Sequence, residues 1–205
     1  MYTLALSTIA GLALSAAAAP LTVGSGNGQI QLQVSIDLGA QGEVGVNALD
    51  ANQLFAFTSM HLVHAVPEQV VNGTEPTGGL AGSAGTFNFG INSAENMICY
   101  NITLHNFQGE FESPATTATH IHEAARGASG PPRISFPNPE PVNGDLAVRN
   151  SVGCLKGPFT TGVMVDGKDS GEGFHVQMIE ANPAAFMADA HSSLALPGAC
   201  RGQLA

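Results

Sequence analysis

The chain has 205 residues, of which 44% are apolar and only 11% charged, with 25 Gly, 12 Pro and no Trp. Gly and Pro interrupt helices while Val, Ile, Thr and Phe favour strands, so the composition favours an all-β domain with many turns. A formal net charge of -10, with 6 Lys+Arg, leaves no basic patch and argues against nucleic acid and anionic membrane surfaces as partners.

Residues 1–18 read as a signal peptide. Leu4 to Ala19 is apolar and small, and Ala16-Ala17-Ala18 precedes Ala19-Pro20, which fits cleavage after Ala18. The run is short for a transmembrane anchor and has no flanking charged side chains. A secreted, extracellular protein is therefore expected. The sequons Asn72-Gly73-Thr74 and Asn101-Ile102-Thr103 agree with that, with Asn72 and Asn101 as glycosylation sites.

Residues 19–53 read as an N-terminal extension with one strand. Ile30, Leu32, Val34 and Ile36 alternate with Gln29, Gln31, Gln33 and Ser35, the period of a half-buried strand. Gly39 to Gly45 reads as a turn. The main domain is expected over residues 54–205. Leu54 to Thr58 opens an extended segment that runs through His61 and His64, and Pro67 to Gly85 reads as loop. Thr86 to Gly90 and Met97 to His105 are strands joined by a hairpin loop at Asn92 to Asn96. In the second of these, Ile98, Tyr100, Ile102 and Leu104 face the core, while Cys99, Asn101, Thr103 and His105 face away.

Thr119-His120-Ile121-His122-Glu123 is the stretch on which the chemistry turns. Side chains at i and i+2 of a strand share a face, about 7 Å apart at Cα. Two imidazoles placed so can close on one metal ion at about 2 Å per bond. Ile121 points to the core, and Glu123 shares its parity, so the strand bends or ends there. The bland alternative is a pair of half-buried polar residues at a sheet margin. The Gly- and Pro-rich run after Glu123 is a loop.

Ile134 to Pro141 is extended but broken by prolines, so it is no central strand. Val152 to Phe159 and Phe174 to Ile179 are further extended segments. Asn182-Pro183-Ala184-Ala185 fits either a short helix or a tight turn into a strand Phe186 to His191, and the strand is preferred. Pro197-Gly198 reads as a turn before a last strand, Ala199 to Leu204. The fold class is all-β, an antiparallel β-sandwich or Greek-key-like barrel with long loops.

Several spaced segments carry a resemblance: Ile98-Cys99-Tyr100-Asn101-Ile102-Thr103, Thr119-His120-Ile121-His122-Glu123-Ala124-Ala125, Gly130-Pro131-Pro132-Arg133 and Gly153-Cys154-Leu155-Lys156-Gly157-Pro158-Phe159. Ile179-Glu180-Ala181-Asn182-Pro183, Ala188-Asp189-Ala190-His191 and Pro197 to Leu204 continue it. Together they resemble the CHRD-domain family, in its secreted fungal form, over about Leu54 to Leu204. The resemblance implies a β-sandwich-like domain outside the cytosol.

A shorter stretch is similar to the copper-binding strand of Cu/Zn superoxide dismutases: His120-Ile121-His122-Glu123 ahead of a Gly-rich loop. There too a late His ligand precedes a closing segment with a functional Arg near a Cys. His191, then Cys200 and Arg201, stand in that order here. No His follows His122 until His175, so the dense His/Asp zinc loop is missing and the resemblance implies a copper-only site.

Donor chemistry gives the same ion by another route. Three neutral imidazoles hold Cu(II) and leave a position open. His120, His122 and His191 are the expected ligands. His61 and His64, at i and i+3, diverge on a strand, and His61 is taken as the fourth ligand. His105 and His175 read as surface residues. A copper redox cycle there would dismutate superoxide, with Arg201 drawing in the anion. The alternative for Arg201 is a structural salt bridge. Glu123 would orient a ligand's second nitrogen or play a structural part.

No nucleophile elbow, P-loop or dinucleotide fingerprint is present. The spacing of Glu180 and Asp189 defines no carboxylate pair, and both read as surface or loop residues. Three cysteines in an oxidising compartment allow three pairings and leave one over. The CHRD resemblance implies Cys99 with Cys154, whereas the dismutase resemblance would pair Cys154 with Cys200. With the first pairing, Cys200 becomes a buried thiol. Two classes of function result: a copper protein acting on superoxide, or a non-catalytic extracellular domain that binds a protein or wall glycan.

Overall fold

The computed structural model describes residues 22–26, 29–33 and 56–205. The chain divides into two units, residues 1–56 and 57–205. In the first, β1 (Thr22–Gly26) pairs antiparallel with β2 (Gln29–Gln33). The expected strand from Ile30 is thus seen as far as Gln33. The expected signal peptide with its cleavage after Ala18, the expected turn at Gly39–Gly45 and the expected start of the extended segment at Leu54 lie outside the described residues.

The strands of the second unit begin with β3 (Ser59–Ala65), β4 (Val71–Asn72), β5 (Glu75–Pro76), β6 (Ala84–Asn92) and β7 (Met97–His105). Next come β8 (Thr119–Glu123), β9 (Pro132–Phe136), β10 (Glu140–Val142), β11 (Asp145–Lys156), β12 (Met164–Val165) and β13 (Lys168–Asp169). A short helix α1 (Gln177–Ala181) precedes β14 (Phe186–Ser192) and β15 (Ala195–Gln203). One sheet has the order β10-β11-β7-β6-β3, and the other β15-β14-β8-β9. Every pairing is antiparallel. The two sheets share one core, so of the two expected forms the sandwich is found and the closed barrel is not.

Alternation explains the core. Ile98, Ile102 and Leu104 of β7 and Phe87 and Ile91 of β6 are fully buried against Ile121, Ile134, Phe136 and Ala188 of the other sheet. Burying side chains of this size stabilises by about 1.5–3 kcal/mol each. The proline-broken segment falls on two edges. β9 closes the four-stranded sheet, β10 closes the five-stranded one, and Pro137 and Pro139 lie where the chain crosses between them. Cys99 and Cys154 are direct partners on β7 and β11 and form a disulfide, as the CHRD resemblance implied. Cys200 is a free thiol buried in the core.

Three expectations are corrected. Pro67 to Gly85 is not plain loop, because it holds a single helical turn at Pro67–Gln69 and the β4-β5 pair. Phe174 to Ile179 is not extended. Val176 and Ile179 both reach the core, and their spacing of three suits one helical face, so the chain turns into α1. Pro197-Gly198 is not a turn but lies within β15, where Gly198 has φ +145° opposite a register shift between Ala190 and Ser192. Among the described residues, no helix is long and apolar enough to cross a membrane.

Candidate metal centre

The four-stranded sheet has a core face and a second face that loops cover. Ile121, Ala188 and Cys200 point to the core. By alternation, His120 and His122 of β8, Met187, Asp189 and His191 of β14 and Arg201 of β15 point the other way. Each of these six is nonetheless buried. Ser113 to Ala115, Ser129, Gly130, Leu196 and Pro197 wall the space above them, a cleft of ≈ 280 Å³ open to solvent.

Strand register places His120 directly across from Asp189, and His122 across from Met187. His191 follows Asp189 by two on the same face. The ligating atoms of His120, His122, Asp189 and His191 all lie within 4.8 Å of one another. His120 Nδ1 is 3.4 Å from His122 Nε2. Asp189 Oδ1 is 3.7 Å from His120 Nδ1 and 3.2 Å from His122 Nε2, and Asp189 Oδ2 is 3.2 Å from His191 Nε2. An ion about 2.0–2.1 Å from four tetrahedral donors separates those donors by about 3.3–3.4 Å. The cluster is therefore already near the size that holds one ion.

The rings are oriented from behind. His120 Nε2 donates to the Thr117 carbonyl at 2.6 Å, His122 Nδ1 to the Gly130 carbonyl at 2.8 Å, and His191 Nδ1 to the Leu196 carbonyl at 2.8 Å. A carbonyl only accepts, so each ring carries its proton on the outer nitrogen. Each inner nitrogen then presents a lone pair to the same space as the Asp189 carboxylate. Asp189 Oδ1 and His191 Nε2 are buried and have no hydrogen-bond partner. Facing acceptors with no donor between them need a cation or an added proton, so this donor set fits a metal ion.

Gly130 is needed for this arrangement. A Cβ there would stand 1.9 Å from the Glu123 carbonyl oxygen, so any other residue would push the loop, and the acceptor of His122, away. Burial pushes the Asp189 carboxyl up, but the charges of His122 and His191 beside it hold it well below its ordinary value. Burial pulls the His191 imidazole down, and Asp189 outweighs that and raises it to about 9. Burial lowers His120 despite Asp189 beside it.

The structure thus brings together three of the four expected ligands. His61 is not among them. It sits half-buried on β3 in the other sheet, with Nε2 3.4 Å from Ser59 Oγ, and His64 is exposed on that strand's opposite side. The fourth member is Asp189, which is 2% exposed and not the surface or loop residue expected. A signal for it existed: Asp189-Ala190-His191 repeats the spacing of His120-Ile121-His122. Glu180 is on α1 and accepts from Ser59 Oγ at 2.7 Å, away from Asp189.

Arg201 is directly across from Asp189 on β15 and lines the cleft. Its Nη1 donates to the Ala128 carbonyl at 2.8 Å and its Nη2 to the Ala125 carbonyl at 2.9 Å, so it fastens the loop after β8 in place of forming a salt bridge. Glu123 orients no ring. It pairs with Arg133 at 2.7 Å, and backbone carbonyls orient the histidines. His105 is exposed and His175 half-buried, both outside the cluster. Asn72 and Asn101 are exposed, and Asn101 Oδ1 accepts from Asn150 Nδ2 at 2.8 Å.

The CHRD-domain family model matches residues 63–204. The chain belongs to the CHRD-domain family. That match spans every member of the histidine and carboxylate cluster and both disulfide cysteines. CHRD domains are of extracellular type, and the Cys99–Cys154 disulfide suits an oxidising compartment. No curated protein and no solved structure matches the chain.

Proposed function

We propose that this CHRD-domain protein is exported, loses residues 1–18, carries glycans on Asn72 and Asn101, and holds one copper ion on His120, His122 and His191 with Asp189 as a fourth donor. The supporting observation is that three ring nitrogens and a carboxylate converge within 4.8 Å of one another, with Asp189 Oδ1 and His191 Nε2 lacking a hydrogen-bond partner. Imidazole suits copper, and copper leads the divalent affinity order for nitrogen sites. Copper bound there would supply one-electron chemistry, by which two superoxide anions and two protons become dioxygen and hydrogen peroxide.

The chain's own residues would do the rest. The Thr117, Gly130 and Leu196 carbonyls keep the three rings in one tautomer. Arg201 gives the cleft a fixed positive charge to attract a small anion. The loop carbonyls that hold Arg201 limit its movement, so it orients the anion without closing over it.

A second reading has its own observation. If Asp189 stays bound, the ion has four protein ligands, as structural zinc sites do. The domain would then be non-catalytic and bind a protein or wall glycan through another surface.

Metal titration and turnover separate the two. Purified protein is loaded with Cu(II) or Zn(II), metal content is measured by mass spectrometry, and superoxide loss is assayed. One copper per chain, nitrogen couplings in its spin-resonance spectrum and superoxide loss abolished by His120→Ala support the first reading. Copper uptake without turnover, or preference for zinc, supports the second.

A further inference from the structure

We propose that the depression between residues 106–109 and β11 is a second binding site, which takes the carboxylate of an acidic sugar. The chain has 6 Lys+Arg. Arg133, Lys156 and Lys168 pair with Glu123, Glu95 and Glu172. Arg126 donates to Gln69 and to the Ala205 carbonyl, and Arg201 to two loop carbonyls. Arg149 alone, among the described residues, has neither a carboxylate nor a carbonyl partner.

Its position makes this unusual. Arg149 is directly across from Leu104, so it has the parity of the core face, and it sits half-buried at that face's margin. Its guanidinium carbon lies 5.5 Å from the Phe107 ring centre and 5.6 Å from that of Phe111, and those two rings stack at 4.3 Å. The rings hold the planar group in place. Its Nε is buried and has no hydrogen-bond partner. With Nε closed off, the two outer nitrogens of the held guanidinium are the donors left for a carboxylate, which accepts two parallel hydrogen bonds.

The surroundings favour a sugar over an acidic peptide. The space is ≈ 410 Å³, inside the range of about 300–1,000 Å³ for small-molecule sites. Asn106 and Gln108 line it beside Arg149; Asn106 Nδ2 donates to the Gly82 carbonyl at 3.3 Å, which leaves its oxygen and the Gln108 amide for hydroxyl groups, and Leu146, 66% exposed, offers an apolar surface to a sugar's C–H face. No carboxylate lines it. A peptide would use a free strand edge, but at Arg149 β11 is paired on both sides, with Pro141 and with Leu104.

The test is calorimetric or NMR titration of the full chain with galacturonic acid, with galactose and N-acetylglutamate as controls. Galacturonic acid is expected to bind at least about ten-fold tighter than either, a difference of about 1.4 kcal/mol. Arg149→Gln should remove that preference and Arg149→Lys should keep only part of it. Gln108→Ala, outside the aromatic stack, should weaken both sugars and so guards against a folding defect in the Arg149 variants. Equal binding of galactose, no effect of Arg149→Gln in a variant with an unchanged melting curve, or equal binding of N-acetylglutamate would each overturn the assignment. None of these results depends on metal at the histidine cluster.

Discussion

Asp189 stands directly across the β8-β14 strand pair from His120, and its two oxygens reach all three histidines of the cluster. One carboxylate on one strand therefore ties together imidazoles from two. Asp189→Asn keeps the shape and removes the charge. It is expected to lower Cu(II) affinity by at least about 10–100-fold, the size of effect known for groups that support metal ligands. Competition titration against a chelator of known affinity measures it, and unchanged affinity would remove Asp189 from the site. Because the ligands must be unprotonated to bind, affinity should also fall as pH drops below about 9, where the His191 ring takes up its proton.

Gly130→Ala tests whether the loop after β8 sets the geometry. The new methyl would collide with the Glu123 carbonyl, and overpacking of this kind costs about 1–3 kcal/mol. The melting temperature should drop. Copper affinity should fall with it, because the Gly130 carbonyl that orients His122 must move. A stable variant with full copper affinity would show that His122 does not need this acceptor.

The cysteines should behave as two separate kinds. Cys99 and Cys154 are bridged and Cys200 is buried, its thiol pushed by burial up to about 12. A thiol reagent should find no reactive group in the native protein and one in denaturant without reductant. Replacing both bridged cysteines by Ser should cost about 2–4 kcal/mol, since the bridge closes a long loop in the unfolded chain. Chemical denaturation of that variant checks the figure.

Asp169 supports the wall of the cleft that carries Val163. Its carboxylate accepts from the backbone N–H groups of Thr161 at 2.9 Å, Gly162 at 2.7 Å and Gly171 at 2.8 Å. Burial raises this group, but those bonds outweigh it and leave it below its ordinary value of 3.8. A lowered carboxyl adds stability that is full above its unfolded value and is lost as pH falls through its folded one. Because Asp169 is only half-buried and water can replace part of what is lost, Asp169→Ala should cost about 1 kcal/mol at neutral pH. The gap from the parent should narrow as pH falls below the ordinary value of 3.8, which melting curves across pH will show.

Local spacing in the sequence carried much of this molecule. The alternation of Met97 to His105 gives β7 and its buried face, because side chains on a strand change sides at every residue. The same rule puts His120 and His122 on one face, while the N–H that proline lacks keeps residues 137–141 out of central strands. The helical turn at Phe174 to Ile179 is not legible in the sequence, because a short apolar run fits either period.

What only the folded chain decides is which strands are neighbours and in what register. Nothing in the spacing of residues 119–123 says that β14 lies beside them with Asp189 opposite His120, and a slip of one residue would turn Asp189 and His191 into the core. Nor does any local pattern say that loops will cover a sheet's second face and bury four acceptors together there. Contacts between segments distant in the chain come from the packing of the whole core, which is why the sequence points to His61 and passes over Asp189.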